Sequence, residues 1–463
     1  MELEKILSEY VSDSKFEDLP KLPVNTIKNM ILTILGTTVA GAMAEGCEAV
    51  VHQVKQWGGK EEATILIHGG RVPAYNAAFA NSVMARALDF CDGMVPGIHF
   101  GASCVPTALA AAELAGGCSG KDLLTAIAVG CEVSARLNLT GTAYNGFDPT
   151  GVCTIFATTA ITGKILGLDS KRMWNALSLA FNRSGGSFQS NIDGSLAVRL
   201  IQGFVSQSGV MCAQLAQQGL TGPQNFLEGV YGYFHLYAKD QYRPQGVTEG
   251  LGTKFKMDNL LFKKYPSCGG TLASTDAIVE LMERNLFIPE EIDQIIIRVT
   301  PAVYNLTGHS FKVGQNLKVN AQFSIQYCVA NVLLRKYPEL NHFDERYIKD
   351  PRIAELIKKI QVMPDASLNQ RDHRSADMSV TTKSGKTYHT VIDAPRGYPD
   401  NPLTEEEHLK RFWDCIRYGS KPLPPEHIGK IISLVNSFET LEDVRTLIPL
   451  LLSSVNRQVS SYL

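Results

Sequence analysis

The chain has 463 residues, a formal charge of −2, 44% hydrophobic and 19% charged residues. That length exceeds what one core usually serves, so two domains are expected, with a generous interior. The near-neutral balance lacks the basic excess or stripe of a nucleic-acid binder.

The N-terminus, Met1-Glu2-Leu3-Glu4-Lys5, is charged and amphipathic, unlike a signal peptide. From there to about residue 260 the sequence reads as helix after helix. Pro23-Val24-Asn25-Thr26 opens a predicted helix over 24–45, with Ile27, Met30, Ile31, Ile34 and Leu35 at helical spacing. Predicted helices follow over 74–90, 106–115, 120–137, 151–168, 170–179 and 196–219, rich in Ala, Gly and Ser. Several are apolar nearly all round, the signature of helices buried in a large protein or between subunits, so a homo-oligomer is expected. The most apolar runs, 30–43 and 106–115, fall short of the roughly 18–20 residues of a membrane span, and no membrane role is expected.

The character changes near Tyr265-Pro266-Ser267-Cys268-Gly269-Gly270. One more helix (271–284) precedes the β-branched strand Ile292–Val299. Further strands are read at 360–362 and 378–382, and Ser384-Gly385-Lys386 turns into a hairpin partner at 387–392. A smaller α+β domain is therefore placed at 267–398. After Arg396-Gly397-Tyr398-Pro399 the chain returns to helices over 404–418 and 425–438.

Ten cysteines are scattered without a CxxC pair, which argues for reduced thiols, a cytoplasmic location and no zinc site. Gly36-Thr37-Thr38-Val39-Ala40-Gly41 lacks the spacing and the preceding strand of a dinucleotide site. Chemistry concentrates between residues 87 and 101, where Asp89, Asp92 and His99 stand in a Gly/Pro-broken loop between two Ala-rich runs. His99 is the candidate base, because imidazole titrates near neutrality; capping the following helix is its structural alternative. Asp89 would orient that histidine or bind substrate, or else brace the loop. A divalent metal on Asp89, Asp92 and His99 lacks the further acids that would close its shell, so no metal is expected.

The order of several segments resembles the MmgE/PrpD family, which includes 2-methylcitrate dehydratase, cis-aconitate decarboxylase and iminodisuccinate epimerase. The segments are Asn76-Ala77-Ala78-Phe79-Ala80-Asn81 leading into Ala87-Leu88-Asp89-Phe90, His99 before a small-residue helix, Gly194-Ser195 with Arg199-Leu200, Phe262-Lys263-Lys264-Tyr265-Pro266, and Ala321-Gln322-Phe323-Ser324-Ile325-Gln326-Tyr327. The resemblance implies a mainly α protein: a large helical domain from residues 1–266 plus 399–463, with a smaller α+β lid at 267–398. It also implies a homodimer, an active site in the interdomain cleft, no organic cofactor, and proton transfer at carbon beside a carboxylate.

Carried over residue by residue, His99 matches the family's catalytic histidine, and Lys263 a functional lysine that clamps a carboxylate. Tyr304 aligns with an active-site tyrosine. Cys268 stands where relatives carry a histidine or another polar group, and it resembles a cysteine of the epimerase branch; a thiol at a helix N-terminus is expected to have a lowered pKa. Asp92, Asp148, Val198, Arg199 and Ile201 are the expected substrate-binding positions. Three departures stand out. Ala197-Val198-Arg199-Leu200-Ile201 replaces a Thr-Lys-x-Leu-His run, Asp148 replaces a histidine, and Arg86 replaces another. Losing cations makes tricarboxylates such as citrate, methylcitrate and cis-aconitate poor expected substrates. Three readings follow: a cofactor-independent dehydratase or decarboxylase of a small carboxylic acid, an epimerase pairing His99 with Cys268, and a non-catalytic binding paralogue.

Overall fold

Local caps fix many helix ends. Gly120–Leu137 starts at Ser119, whose hydroxyl accepts the Asp122 amide while the Asp122 carboxylate accepts the Ser119 amide. Thr404 and Glu407 start Glu405–Tyr418 in the same way, and the Asp169 carboxylate starts Ser170–Phe181 by accepting the Arg172 amide at 2.8 Å. The computed structural model describes residues 2–95, 97–138, 146–284, 287–312 and 316–453. Helix makes up 59% and strand 10%, so the fold is mainly α.

The helix Ala197–Gln217 packs against Ala74–Arg86, Gly101–Leu114, Ile155–Ile165 and Ser170–Phe181. Their small residues allow this close approach. Helix Ala74–Arg86 stops before the expected residue 90, because the chain turns and Asp89 takes a left-handed φ of 51°. Gly101–Leu114 begins five residues before Pro106, since the Asp92 carboxylate supplies an earlier start by capping the Gly101 amide. Thr150–Thr154 is a π-helical turn leading into Ile155–Ile165. Glu2–Asp13 and Cys47–Trp57 are helices beyond those expected.

Two large apolar clusters form. One gathers side chains from Leu3 to Phe262 and again from Leu403 to Leu451. The other is built from residues between Leu261 and Tyr398. The second surrounds a four-stranded sheet of β5 (Ile292–Val299), β6 (Ile360–Pro364), β7 (Ala376–Thr382) and β8 (Thr387–Ile392), in the order β6-β5-β7-β8. β5 and β6 run parallel, and the other pairs antiparallel. Ile295, Ile297 and Val299 alternate with more exposed residues, as do Ala376, Met378 and Val380, so one face meets the helices Leu272–Glu283 and Ile325–Arg335. Two-residue ladders complete the inventory: β1 (Ala63–Thr64) with β2 (Arg71–Val72), and β3 (Asp92–Gly93) with β4 (Leu261–Phe262). The second of these places the 87–101 loop beside Lys263.

Candidate active site

A cavity of about 340 Å³ opens where the two clusters meet. Asp89, His99, Asp148, Val198, Ile201, Lys263 and Cys268 all line it, together with Arg86, Gln202, His373, Arg374 and Tyr398.

His99 follows the β3 ladder and precedes the helix Gly101–Leu114. Its amide donates to Thr150 Oγ1 at 3.2 Å, and ring Nδ1 lies 2.7 Å from the Asp92 main-chain carbonyl. A carbonyl only accepts, so Nδ1 carries the proton and Nε2 keeps the lone pair of the neutral ring. Burial, reinforced by the nearby Arg86 and Lys263 cations, lowers the His99 pKa from 6.5 to about 3. The half-buried imidazole is therefore a free base at neutral pH.

Asp89 does not hydrogen-bond this ring. Lys263 Nζ donates to Asp89 Oδ1 at 2.7 Å and to its main-chain oxygen at 3.2 Å, and Arg86 Nη1 bonds the same Oδ1. Burial alone would raise the Asp89 carboxyl, but the Arg86 and Lys263 cations hold it well below the usual range. All three side chains are buried. Arg86 and Asp89, at i and i+3 around a helix end, form the pair that sequence reasoning treated only as a departure from the family pattern. The i, i+3 spacing of opposite charges is the signal that finds it.

On the facing wall, Val198 and Ile201 project from one side of Ala197–Gln217 with Gln202 beside them. Asp148 accepts the Thr150 amide at 2.9 Å. Burial nevertheless raises its carboxyl from 3.8 to about 6. From the sheet side come Cys268, Val303, Leu306, His373, Arg374 and Tyr398. His373 and Arg374 escape sequence reasoning because the turn before β7 carries no motif.

Four expectations need correction. Asp92 is fully buried behind the cavity, where both carboxylate oxygens accept the Gly101 amide at 3.0 Å; it caps a helix instead of binding substrate. Arg199 points away from the Val198–Ile201 side and donates to the Glu45 carbonyl at 2.7 Å. Tyr304 stands in the π-helical stretch Tyr304–Gly308 and lines a separate, polar cavity with Asp293 and Gln326. Cys268 does lie near a helix start, but burial and then the Asp89 charge push its thiol up to about 11, opposite to the expected direction. The Gly270 amide, in the 3-10 turn that runs into the helix Leu272–Glu283, lowers the thiol but does not outweigh those two causes.

Among the described residues, no group of three His, Cys, Asp or Glu side chains is arranged to hold a metal ion. No described helix is long and apolar enough to cross a membrane.

Residues 5–245 match the MmgE/PrpD N-terminal domain and residues 265–428 the MmgE/PrpD C-terminal domain. The chain belongs to the MmgE/PrpD family. It is 27% identical over 450 residues to cis-aconitate decarboxylase of Homo sapiens, covering 94% of this chain and 91% of that protein. It is 25% identical over 397 residues to 2-methylcitrate dehydratase of Cupriavidus necator (79% and 78% covered), and 23% over 473 residues to that of Escherichia coli strain K12 (93% and 90% covered).

Proposed function

We propose that the chain is a lyase acting on a small carboxylic acid by proton transfer at the carbon beside a carboxylate. The observation that carries this reading is a neutral His99, with Nε2 free, lining the same cavity as the buried Arg86–Asp89–Lys263 cluster. A substrate carboxylate docks against the two cations. Nε2 takes the proton from the adjacent carbon, and the electron pair left behind is stabilised as an enolate-like anion by Arg86 and Lys263. In a dehydration that pair then forms the C=C bond as the C–O bond breaks, and a neutral Asp148 carboxyl donates the proton that lets hydroxide leave as water. The chain's own side chains supply these steps, and the relatives named as a decarboxylase and a dehydratase support the reaction class.

One observation favours a second reading. Cys268 lines the same cavity with its thiol protonated while His99 is a free base. One empty and one loaded proton carrier is the state an epimerase needs. The non-catalytic reading finds less support, because the base and the cations are held together.

The proposal extends to the assembly. Residues 267–398 serve as a cover over the helical body formed by 1–266 and 399–463. Phe204, Met211 and Leu215 form an exposed apolar stripe on Ala197–Gln217, with Trp57 near its start, and this stripe suits a homodimer contact. Ten free thiols, nine of them buried, suit a reducing compartment such as the cytoplasm.

The test is a panel of small carboxylic acids followed by NMR in D₂O. Elimination or CO₂ loss that vanishes in His99→Asn supports the lyase. Deuterium uptake with inversion and no loss of water or CO₂ moves the assignment to the epimerase. A His99→Asn protein that keeps every activity overturns both.

A further inference from the structure

We propose that this cavity selects a substrate with one carboxylate and an apolar arm, with Gln202 as a carboxylate donor beside the Arg86 and Lys263 cations and Asp148 as the group that rejects a second carboxylate. The inference deepens the lyase reading and rests on it only for where the reacting carbon sits.

The first argument is a charge count around the cavity. Its cationic side chains are Arg86, Lys263 and Arg374, and its carboxylates are Asp89 and Asp148. Arg374 is already committed: it pairs with both oxygens of Asp372 at 2.6 Å and with Asp400 at 2.8 Å. His373 Nδ1 lies 3.2 Å from the same Asp372. Arg86 and Lys263 share the single carboxylate of Asp89. With the Asp148 carboxyl protonated, as the elimination step requires, one positive charge is left over, and one substrate carboxylate neutralises it. A second carboxylate would be an uncompensated charge against a largely apolar wall, the costly case of burial.

The second argument is the pattern of unmet hydrogen bonds. Among the described residues, Arg86 Nε and Gln202 Nε2 are buried donors with no partner. Gln202 is held by its other end, through Oε1, which accepts from the Ser103 hydroxyl. A buried donor without an acceptor is expensive unless a ligand supplies one. Both residues line the cavity, where the oxygens of a substrate carboxylate would supply the missing acceptors.

The third argument is the rest of the wall. Met94, Ile98, Val198, Ile201 and Leu306 offer a substrate arm an apolar surface. Thr150 and Asn191 add neutral polar groups, and Asp148 offers an acid in place of a cation. A methyl or short alkyl group gains contact there. A carboxylate meets an apolar surface, and a like charge as well wherever Asp148 is ionised.

Isothermal titration calorimetry on the full-length protein tests this with probes of rising charge. Crotonate and 2-pentenoate carry one carboxylate, mesaconate two and cis-aconitate three. The monocarboxylates are expected to bind, with affinity falling about tenfold or more for each added carboxylate. Gln202→Leu should weaken crotonate about fivefold. Asp148→Asn and Val198→Lys should each raise the affinity for mesaconate relative to crotonate about tenfold. The inference is overturned by equal or tighter binding of mesaconate or cis-aconitate, by failure of both monocarboxylates to bind, or by an unchanged ratio in two variants that melt cooperatively. The two readings fail separately. Ordered binding without exchange or elimination in D₂O defeats the lyase and leaves the selectivity; efficient turnover of a tricarboxylate does the reverse.

Discussion

His99 Nδ1 donates to the main-chain carbonyl of Asp92 at 2.7 Å, so Asp92 sets the tautomer of the base through its backbone while its side chain caps a helix. A residue that reads as a second catalytic acid is thereby the splint of the first base. The base itself stays rigid because a cap and a ring share one anchor.

The depressed pKa of His99 fixes a pH dependence. The folded protein holds the ring neutral down to about pH 3, whereas the unfolded chain binds a proton below 6.5. Stability from the neutral ring is therefore complete above 6.5 and is lost as pH falls towards 3. The profile of kcat/KM should show no acid limb near 6.5, and ¹⁵N NMR should show Nδ1 protonated and Nε2 bare at pH 5. An imidazolium signal at pH 5 contradicts the geometry.

Asp148 works in the opposite sense. Its folded pKa of about 6 lies above the ordinary 3.8, so the unfolded chain releases this proton first and stability declines from about pH 4 to 6. Above 6 the ionised carboxylate repels an anionic substrate and is no longer a proton donor. We expect kcat/KM to fall through a pKa near 6, and Asp148→Asn to flatten that limb. A limb that persists unchanged in the variant assigns it to another group.

Breaking the buried cluster should be costly. Asp89→Asn leaves the buried Arg86 and Lys263 without a counter-charge and should cost about 3 kcal/mol in urea unfolding. Adding Lys263→Met should recover part of that loss, because one of the two uncompensated cations is gone. Strict additivity of the two substitutions denies the coupling.

Cys268 should be a slow thiol. With a pKa of about 11, only about 0.1% is thiolate at pH 8, and iodoacetamide labelling should lag far behind that of a free cysteine. Cys268→Ser should abolish epimerisation if the protein is an epimerase, and reduce a His99-driven elimination by less than about tenfold.

Much of the fold is legible in the chain. Gly120–Leu137, Ile292–Val299 and Thr387–Ile392 fall where the pattern puts them, because caps, β-branching and turns all agree there. Ala74–Arg86 ends early because the left-handed Asp89 overrides its helix-favouring neighbours. Within the site, His99, Asp89, Lys263 and Cys268 are found from type and order, yet their partners are not. Asp89 pairs with cations rather than the ring, and Arg199 turns to Glu45, because a side chain's direction depends on where its helix docks. Tyr304 shows the same limit: one turn of π-helix carries it to another cavity while its neighbours Val303 and Leu306 face the site.

The ladder of β3 with β4 joins Asp92 to Phe262 and Gly93 to Leu261, and through it Lys263 reaches Asp89, 174 positions away. Those few bonds are the seam along which base and cation meet. Opening the seam would disarm the site while both apolar clusters stayed intact. Loss of activity under mild denaturant should therefore precede loss of helical signal, making catalysis a gauge of how the two halves of the molecule are fastened.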